Sequence, residues 1–217
     1  MNEVEISLFP IPGSVSLPFS RVPLHIFEPR YRKMIKDSVA AKRRIGVAHT
    51  KRLIAESKVP VNATRDEVLN NNQETYEAHS IFSAGFAEIL ETLPDGRILV
   101  QIEMDSRFEI LSELQQIPYK VVRCRPYEDE MGVDDTTERF RQELDRVLLN
   151  LPTPNREALD QYLESPEWKS MGTIQYSFAV YQLILFDPDI LQRVLETKSA
   201  LARISFLKDA LGVRVLQ

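Results

Sequence analysis

The region from residue 8 to residue 35, LFPIPGSVSLPFSRVPLHIFEPRYRKMI, constrains the fold more than any other part of the chain. It contains several prolines, which lack a backbone donor and hold the preceding residue in extended backbone. We therefore predict edge strands and turns here rather than helix. The prolines that carry this prediction are Pro10, Pro12, Pro18 and Pro23.

The same region then changes from strand to helix. Apolar residues alternate along residues 22–26, as they do in a half-buried strand. Pro29 has a fixed φ that suits a first helical turn, and Tyr31, Met34 and Ile35 follow at helical spacing. We predict that the change from strand to helix occurs near residues 27 and 28.

Short segments with the period-two pattern of strands continue to about residue 127. Their alternation is typical of a barrel, or of a sheet buried on one face. We predict a hairpin turn at Pro94, Asp95 and Gly96, because proline, aspartate and glycine favour tight turns. The polar composition of residues 50–79 predicts a long loop there, with at most one short helix. Besides residues 22–27, the predicted strands are residues 44–49, 81–90, 97–104, 107–111 and 119–125.

A helical period replaces the strand pattern after the acidic linker at residues 128–135. Asp135 and Glu138 have the spacing of a capping box, and four or five helical pieces are predicted from there onward. The later pieces are predicted to begin near Asn155, near Thr173, at Asp187 and Pro188, and at either Thr197 or Ser199. Two apolar faces are predicted, one on Ala158, Leu159, Tyr162 and Leu163, and one on Ile174, Phe178, Tyr181 and Leu185.

The composition excludes several classes of protein. A hydrophobic fraction of 43% can form an ordinary core, and a net charge of -5 argues against broad binding of phosphate backbones. The single cysteine, Cys124, excludes an intrachain disulfide, and no apolar run approaches the ~20 residues that span a bilayer. The acidic first residues do not resemble a secretory signal, so we expect a cytoplasmic protein.

Nothing in the sequence indicates catalysis, a cofactor or a metal site. No G-x-x-x-x-G-K-[ST] loop is present, and His25, His49 and His79 are too dispersed to predict a set of metal ligands. Cys124 is predicted to be a small buried residue rather than a reactive thiol. We therefore expect no enzyme activity and assign no catalytic, cofactor-binding or metal-binding residue.

The combination of LFP, a proline-bounded turn and PLHIFEPRYRKMI resembles the N-terminal substrate-binding domain of the Lon protease family, particularly its stand-alone relatives. Two further segments, IFSAGFAEILETLPDGRILVQIEMDSRFEIL and LFDPDILQRVLETKSALARISFLKDAL, extend this resemblance over nearly the whole chain. Gly85 and Arg107 keep the family pattern, while Phe86 stands where threonine is common. The resemblance implies an α+β fold, with a PUA-like β-barrel or twisted sheet at residues 1–127 and an α-helical bundle at residues 128–217.

The resemblance also implies a non-catalytic module that binds proteins or peptides and lacks the ATPase and protease domains. Its partners would be unfolded or exposed protein segments, with a protease or chaperone as a further partner. We place binding in a groove between barrel and bundle and at an exposed sheet edge. The candidate peptide-binding residues are Phe19, Arg21, His25, Phe27, Glu28, Arg30 and Tyr31.

Three alternatives remain open from the sequence. The corner at residues 28–31 has a structural alternative, in which Glu28 and an arginine stabilise the start of the helix while Tyr31 packs beneath it. RNA binding is the alternative function, suggested by the PUA-like barrel and by Lys42, Arg43, Arg44, Lys51 and Arg52. An enzyme acting on a small molecule is a third, suggested only by a pocket between the two parts.

Overall fold

A computed structural model of the chain describes residues 3–55, 75–130, 135–150 and 152–215. The chain divides into two units, Met1–Glu128 and Asp129–Gln217. Among the described residues, the first unit holds all eight strands and one helix. Its elements are β1 (Val4–Pro10), β2 (Arg21–Ile26), α1 (Pro29–Ala40), β3 (Ile45–Ala48), β4 (Thr50–Ala55), β5 (Thr75–Ala78), β6 (Ile81–Thr92), β7 (Ile98–Gln115) and β8 (Lys120–Pro126).

Five strands of the first unit close into a barrel. Strand β1 pairs with β3 in parallel and with β8 in antiparallel orientation, and the ladder continues from β3 to β6 to β7. The circle closes because β7 also pairs with β8. Closure removes free edges from these strands. Strand β2 lies outside the circle and pairs with β7 alone among the described strands, so it is an edge strand.

The barrel core follows the alternation that the sequence predicts along β7. The side chains of Ile98, Val100, Ile102 and Met104 are all at most 1% exposed. Helix α1 begins at Pro29, as predicted, and contributes Tyr31, Met34 and Ile35 to the same core cluster. Burial of these apolar side chains is the main term that holds helix and barrel together.

Strand β7 differs from the sequence prediction because one strand of 18 residues replaces two shorter ones. The register between β6 and β7 shifts at Ala84 and Gly85, which leaves Asp105 as an extra residue in β7. Such a bulge bends a strand without ending it. A Cβ on Gly85 would lie 1.7 Å from the carbonyl oxygen of Glu103, so this position requires glycine.

The hairpin between β6 and β7 is confirmed. The amide of Leu93 donates to the carbonyl oxygen of Arg97 at 2.8 Å, and the amide of Gly96 donates to that of Leu93 at 2.9 Å. Gly96 has a φ of +84°, which a side chain would strain. The prediction of a loop at residues 50–79 is wrong at both ends, because β4 and β5 form a two-stranded sheet. The central part, with its predicted short helix, lies outside the described residues.

The second unit is helical, as predicted, with six α-helices among its described residues. Pro188 occupies the first turn after the N-cap Asp187, and Ser199 rather than Thr197 caps the last helix, since its Oγ accepts from the amide of Ala202 at 3.2 Å. The helices are α2 (Asp135–Leu148), α3 (Arg156–Glu164), α4 (Pro166–Ser170), α5 (Thr173–Ala179), α6 (Pro188–Glu196) and α7 (Ala200–Val215), and a 3₁₀ turn spans Val180–Gln182.

Three details of the helical prediction are wrong. Asp135 lies in the first turn of α2 instead of capping it. The apolar stripe through Leu185 fails because α5 ends at Ala179, which leaves the Leu185 side chain 94% exposed. On α3 only Leu163 is buried, so a short helix with four apolar residues uses one of them in the core. Within the described part of the chain, no helix has both the length and the apolarity needed to cross a membrane.

Candidate functional site

The side chains of edge strand β2 separate cleanly into an outward and an inward set. Arg21, Pro23 and His25 are exposed, whereas Ile26 is buried and the remaining two are half-buried against the core. Three of the candidate residues thus lie at this strand or directly beside it. Phe19, which precedes the strand, has a φ of +64° and a side chain that is 47% exposed.

One edge of β2 faces away from β7, and along it β2 pairs with no strand among the described residues. The amide of Met104 donates to the carbonyl oxygen of Ser20 at 2.9 Å, and the register then continues residue by residue along β2 and β7. Bonded and non-bonded pairs alternate along an antiparallel ladder, so residues 21, 23 and 25 direct their backbone groups away from β7. Pro23 falls on this outward side, where its missing N–H costs no ladder bond.

The corner between β2 and α1 holds the other four candidate residues. Nε of Arg30 donates to Oε2 of Glu28 at 2.9 Å, and both side chains are only 11% exposed. The Arg30 guanidinium lies 4.6 Å from the ring centroid of Tyr31, which packs on Phe9. Burial raises the pKa of Tyr31 to about 12. Phe27 is half-buried.

This corner therefore has the geometry of the structural alternative that the sequence left open. Glu28 and Arg30 form a nearly buried charge-assisted pair, and Tyr31 packs beneath them with 8% of its surface exposed. The structure brings Phe19, Arg21 and His25 to one accessible edge, while Glu28, Arg30 and Tyr31 support the adjacent corner from within.

The basic residues that suggested RNA binding are largely engaged with carboxylates. Arg44 donates twice to Asp105, with Nε to oxygen distances of 3.0 and 3.1 Å, and its guanidinium lies 4.5 Å from the Phe86 ring centroid. Arg43 lies 4.0 Å from a carboxylate oxygen of Glu5, and Arg52 lies 2.6 Å from one of Glu77. These pairs reduce the positive potential that a phosphate backbone would meet.

The fold brings together two histidines that the sequence interpretation regarded as dispersed. The rings of His49 and His79 stack with their centroids 5.3 Å apart and their planes 8° from parallel. The amide of His79 also donates to the carbonyl oxygen of His49 at 2.8 Å. In the part of the chain that the structure describes, no group of three or more potential metal ligands occurs.

Cys124 lies in the barrel core with no exposed surface. Burial raises the pKa of its thiol to about 12, so the thiol stays protonated near neutral pH. This geometry matches the predicted role of a small buried side chain.

The second unit contains buried arginines that the sequence interpretation missed. Arg203 is 1% exposed and binds the carboxylate of Asp129, the hydroxyl of Ser177 and the carbonyl oxygen of Thr197. Arg141 donates to the carbonyl oxygens of Met171 and Trp168 at 2.6 and 3.2 Å. Their only signal in the sequence is a helical period that places each among apolar neighbours, and their contacts are those of structural residues.

The described residues thus form a small closed barrel with one added edge strand and, later in the chain, a helical unit, which is an α+β fold. The chain matches the family model described as the ATP-dependent protease La (LON) substrate-binding domain over residues 5–211, and it belongs to that family. This result confirms the resemblance from which the fold was predicted.

Relatives and solved structures agree with this assignment. The chain is 24% identical over 213 residues to Lon protease 1 of Herpetosiphon aurantiacus, an alignment that covers 92% of this chain and 24% of the relative. The N-terminal domain of a Mycobacterium avium complex Lon protease has a TM-score of 0.67 at 14% identity, and a Lon N-terminal domain protein from Xanthomonas campestris has 0.59 at 16%. Each structural match covers 96% of this chain and 98% of the other. The chain spans about a quarter of the length of the curated relatives it matches.

Proposed function

We propose that this chain is a non-catalytic module that binds unfolded or exposed segments of other proteins. Its family is described by substrate binding, which supports recognition of protein segments rather than a reaction. The single observation that carries the proposal is the outer edge of β2, which pairs with no strand among the described residues. An extended segment can form hydrogen bonds with the backbone groups of this edge. Addition of a strand to a sheet edge is a common mode of peptide recognition.

The proposed mechanism uses main-chain bonds for affinity and side chains for selectivity. An added strand would meet the outward N–H groups of Arg21 and His25 and the outward carbonyl oxygens of residues 21, 23 and 25. Since every segment carries these backbone groups, binding would tolerate many sequences. Phe19 provides an exposed apolar ring beside the start of the edge, and Phe27 borders its far end.

The purified chain should therefore bind an unfolded protein and ignore the same protein when folded. Fluorescence anisotropy with labelled, reduced and alkylated α-lactalbumin measures this directly, with native α-lactalbumin as the matched control. Saturable binding of the unfolded form alone is expected. Absence of saturation with several unfolded proteins and peptides would refute the proposal.

A pair of peptides separates strand addition from simple apolar contact. One is an extended peptide of alternating valine and threonine, and the other has the same side chains with every backbone amide methylated. Methylation removes the donors from both edges of the peptide and leaves its apolar surface, so weaker binding of the methylated peptide is expected. Equal binding of the two peptides would argue for a different binding mode.

The further parts of the proposal concern partners and location. We propose a protease or chaperone as a further partner, because the matched family model describes substrate binding and leaves the processing of a bound segment to other domains or proteins. A cytoplasmic location remains a proposal that rests on composition. RNA binding has less support, because three of its five candidate residues are paired with carboxylates. Nuclease-sensitive recovery of ribosomal proteins in a pull-down would reverse that ranking.

A further inference from the structure

A pocket of about 450 Å³ lies in the second unit and is lined by residues of α2, α3 and α4 and by Leu149, which follows α2. Its volume falls in the range that small-ligand sites of proteins occupy. Charged and apolar side chains both line it, so it suits a ligand that carries a charge on an apolar stem.

The apolar part of the lining is only partly covered by the described residues. Leu163 and Trp168 are buried, but Leu149 is 43% exposed. Tyr162, whose ring centroid lies 5.3 Å from that of Trp168, is 44% exposed. Apolar surface that stays open to water beside a pocket can be covered by the apolar part of a ligand.

Two carboxylates of α2 line the pocket, and each is held by hydrogen bonds to one of its oxygens. Oδ1 of Asp145 accepts from Nε1 of Trp168 at 3.3 Å and from the hydroxyl of Tyr176 at 2.8 Å. Oε2 of Glu138 accepts from the hydroxyl of Thr173 at 3.2 Å. Oδ2 of Asp145 and Oε1 of Glu138 have no hydrogen-bond partner among the described residues. Each carboxylate is thus fixed in position and keeps one oxygen for a donor from a ligand.

The two cations of the pocket are not paired with these carboxylates. The Arg141 guanidinium donates to the carbonyl oxygens of Met171 and Trp168, and it forms no ion pair with a carboxylate of the described residues. Lys169 is exposed and has no ion-pair partner in that part of the chain either. Together with Glu164, the lining holds three carboxylates and two cations, so its net charge is negative.

The charge of the second unit as a whole also favours a cationic ligand. Acidic and basic side chains are equal in number in residues 1–128, so the formal net charge of -5 lies entirely in residues 129–217. A negative field of this kind attracts cations from solution and is screened by salt.

We propose that this pocket binds the side chain of an arginine or a lysine from a protein segment. The aliphatic stem would lie on Trp168 and Leu149, and the charged head would donate to the remaining oxygens of Glu138 and Asp145. Tryptophan is also the aromatic side chain that attracts a cation most strongly. The pocket is a second binding site that does not require strand addition at β2, because β2 belongs to the first unit.

A basic side chain fits this pocket better than a metal ion or a nucleic acid. No group of three or more potential metal ligands occurs among the residues that the structure describes. The negative charge of the second unit would repel a phosphate backbone. The exposed side chains of Leu149 and Tyr162 favour a protein segment over a free cation, because apolar residues beside an arginine or lysine can cover them.

The test uses three short peptides and the full chain. The peptides share the sequence Gly-Ser-Leu-X-Leu-Ser-Gly, in which X is arginine, its neutral isostere citrulline, or glutamate. Trp168 is the single tryptophan of the chain and lines the pocket, so its emission reports on binding there. We expect the arginine peptide to change this emission and to bind about tenfold more tightly than the citrulline peptide. The preference should shrink as salt rises from about 0.05 M to about 0.5 M.

Three variants separate the pocket from the overall charge of the unit. Glu138→Gln keeps an acceptor for the Thr173 hydroxyl and removes the negative charge, so it should reduce the preference for arginine to about twofold. Glu164→Gln changes an exposed side chain, and it should lower the preference by a smaller factor. Glu157→Gln makes the same change of charge at the opposite, exposed end of α3, and it should preserve the preference.

Three results would overturn the assignment of this pocket. The first is equal binding of the arginine and citrulline peptides, and the second is a preference that neither Glu138→Gln nor Glu164→Gln lowers. The third is tighter binding of the glutamate peptide, which would make Arg141 and Lys169 the binding groups. Spermidine that binds as tightly as the arginine peptide would replace the protein side chain with a free cation as the ligand. Strand addition at β2 does not distinguish arginine from citrulline through Glu138, so each of these results leaves it intact.

Discussion

Replacement of Arg203 by methionine tests how the helical unit is held together. The guanidinium lies between Asp129 and the ring of Phe178, whose centroid is 3.9 Å from Cζ, and it also binds Ser177 and Thr197. The Arg203 side chain has no exposed surface, and that of Asp129 is 6% exposed. If Arg203 is removed, water therefore has little access to the Asp129 carboxylate and cannot hydrate it fully.

The expected cost follows from leaving one charge in place. Removal of one partner of a buried ion pair destabilises a protein by about 3–5 kcal/mol, because the remaining charge stays desolvated. We expect Arg203→Met to lower the free energy of unfolding of the second unit by that amount. Asp129→Asn keeps a polar acceptor, and the double variant should cost less than the sum of the two single changes.

Urea unfolding followed by tryptophan fluorescence measures the free energy of unfolding of the second unit. Trp168 is the single tryptophan of the chain, it lies in the second unit, and it is 2% exposed. Arg139→Met is the matched control, since Arg139 is exposed on α2 and its loss should cost less than about 0.5 kcal/mol. A loss below about 1 kcal/mol for Arg203→Met would refute the account of the buried network.

Three further predictions concern the first unit. Gly85→Ala should lower the free energy of unfolding by about 1–3 kcal/mol or more, because the new Cβ would force β6 from β7. Gly172→Ala is the control and should be nearly neutral, since a Cβ there meets nothing within 4 Å. Equal effects of the two changes would contradict the bulge. Cys124 should resist thiol reagents at pH 8 in the native protein and react after unfolding, and stoichiometric native labelling would contradict its burial. Burial raises the pKa of Tyr31 from 10.0 to about 12, so the protonated phenol stabilises the folded state fully below pH 10, and this contribution is lost as the pH rises toward 12. The free energy of unfolding should therefore fall less steeply at alkaline pH in Tyr31→Phe than in the unmodified chain. Identical pH profiles of the two would contradict this prediction.

Local patterns in the sequence were sufficient to predict most elements of the fold. The positions of the prolines and the alternation of apolar with polar residues predicted β2 and the start of α1. The turn-forming residues before Arg97 predicted the hairpin turn. These features depend on neighbours within a few residues along the chain, so they can be predicted from the sequence alone. The joining of two predicted strands into β7 depends on the bulge at Asp105, which only pairing with β6 creates.

The candidate site was only partly predictable for the same reason. The sequence identified the β2 edge and its corner, but it could not show that Tyr31 packs on Phe9, because these residues lie on separate elements. The pairing of Arg44 with Asp105 joins residues 61 positions apart.

Amide hydrogen exchange along β2 tests the central claim most directly. The exchange rates of the Arg21 and His25 amides would be compared in the free chain and in the complex with reduced, alkylated α-lactalbumin. Because these amides point away from β7, strand addition should slow their exchange on binding, whereas the amides that already face β7 should change little. Saturable binding that leaves both outward amides unchanged and protects a different region would contradict the account.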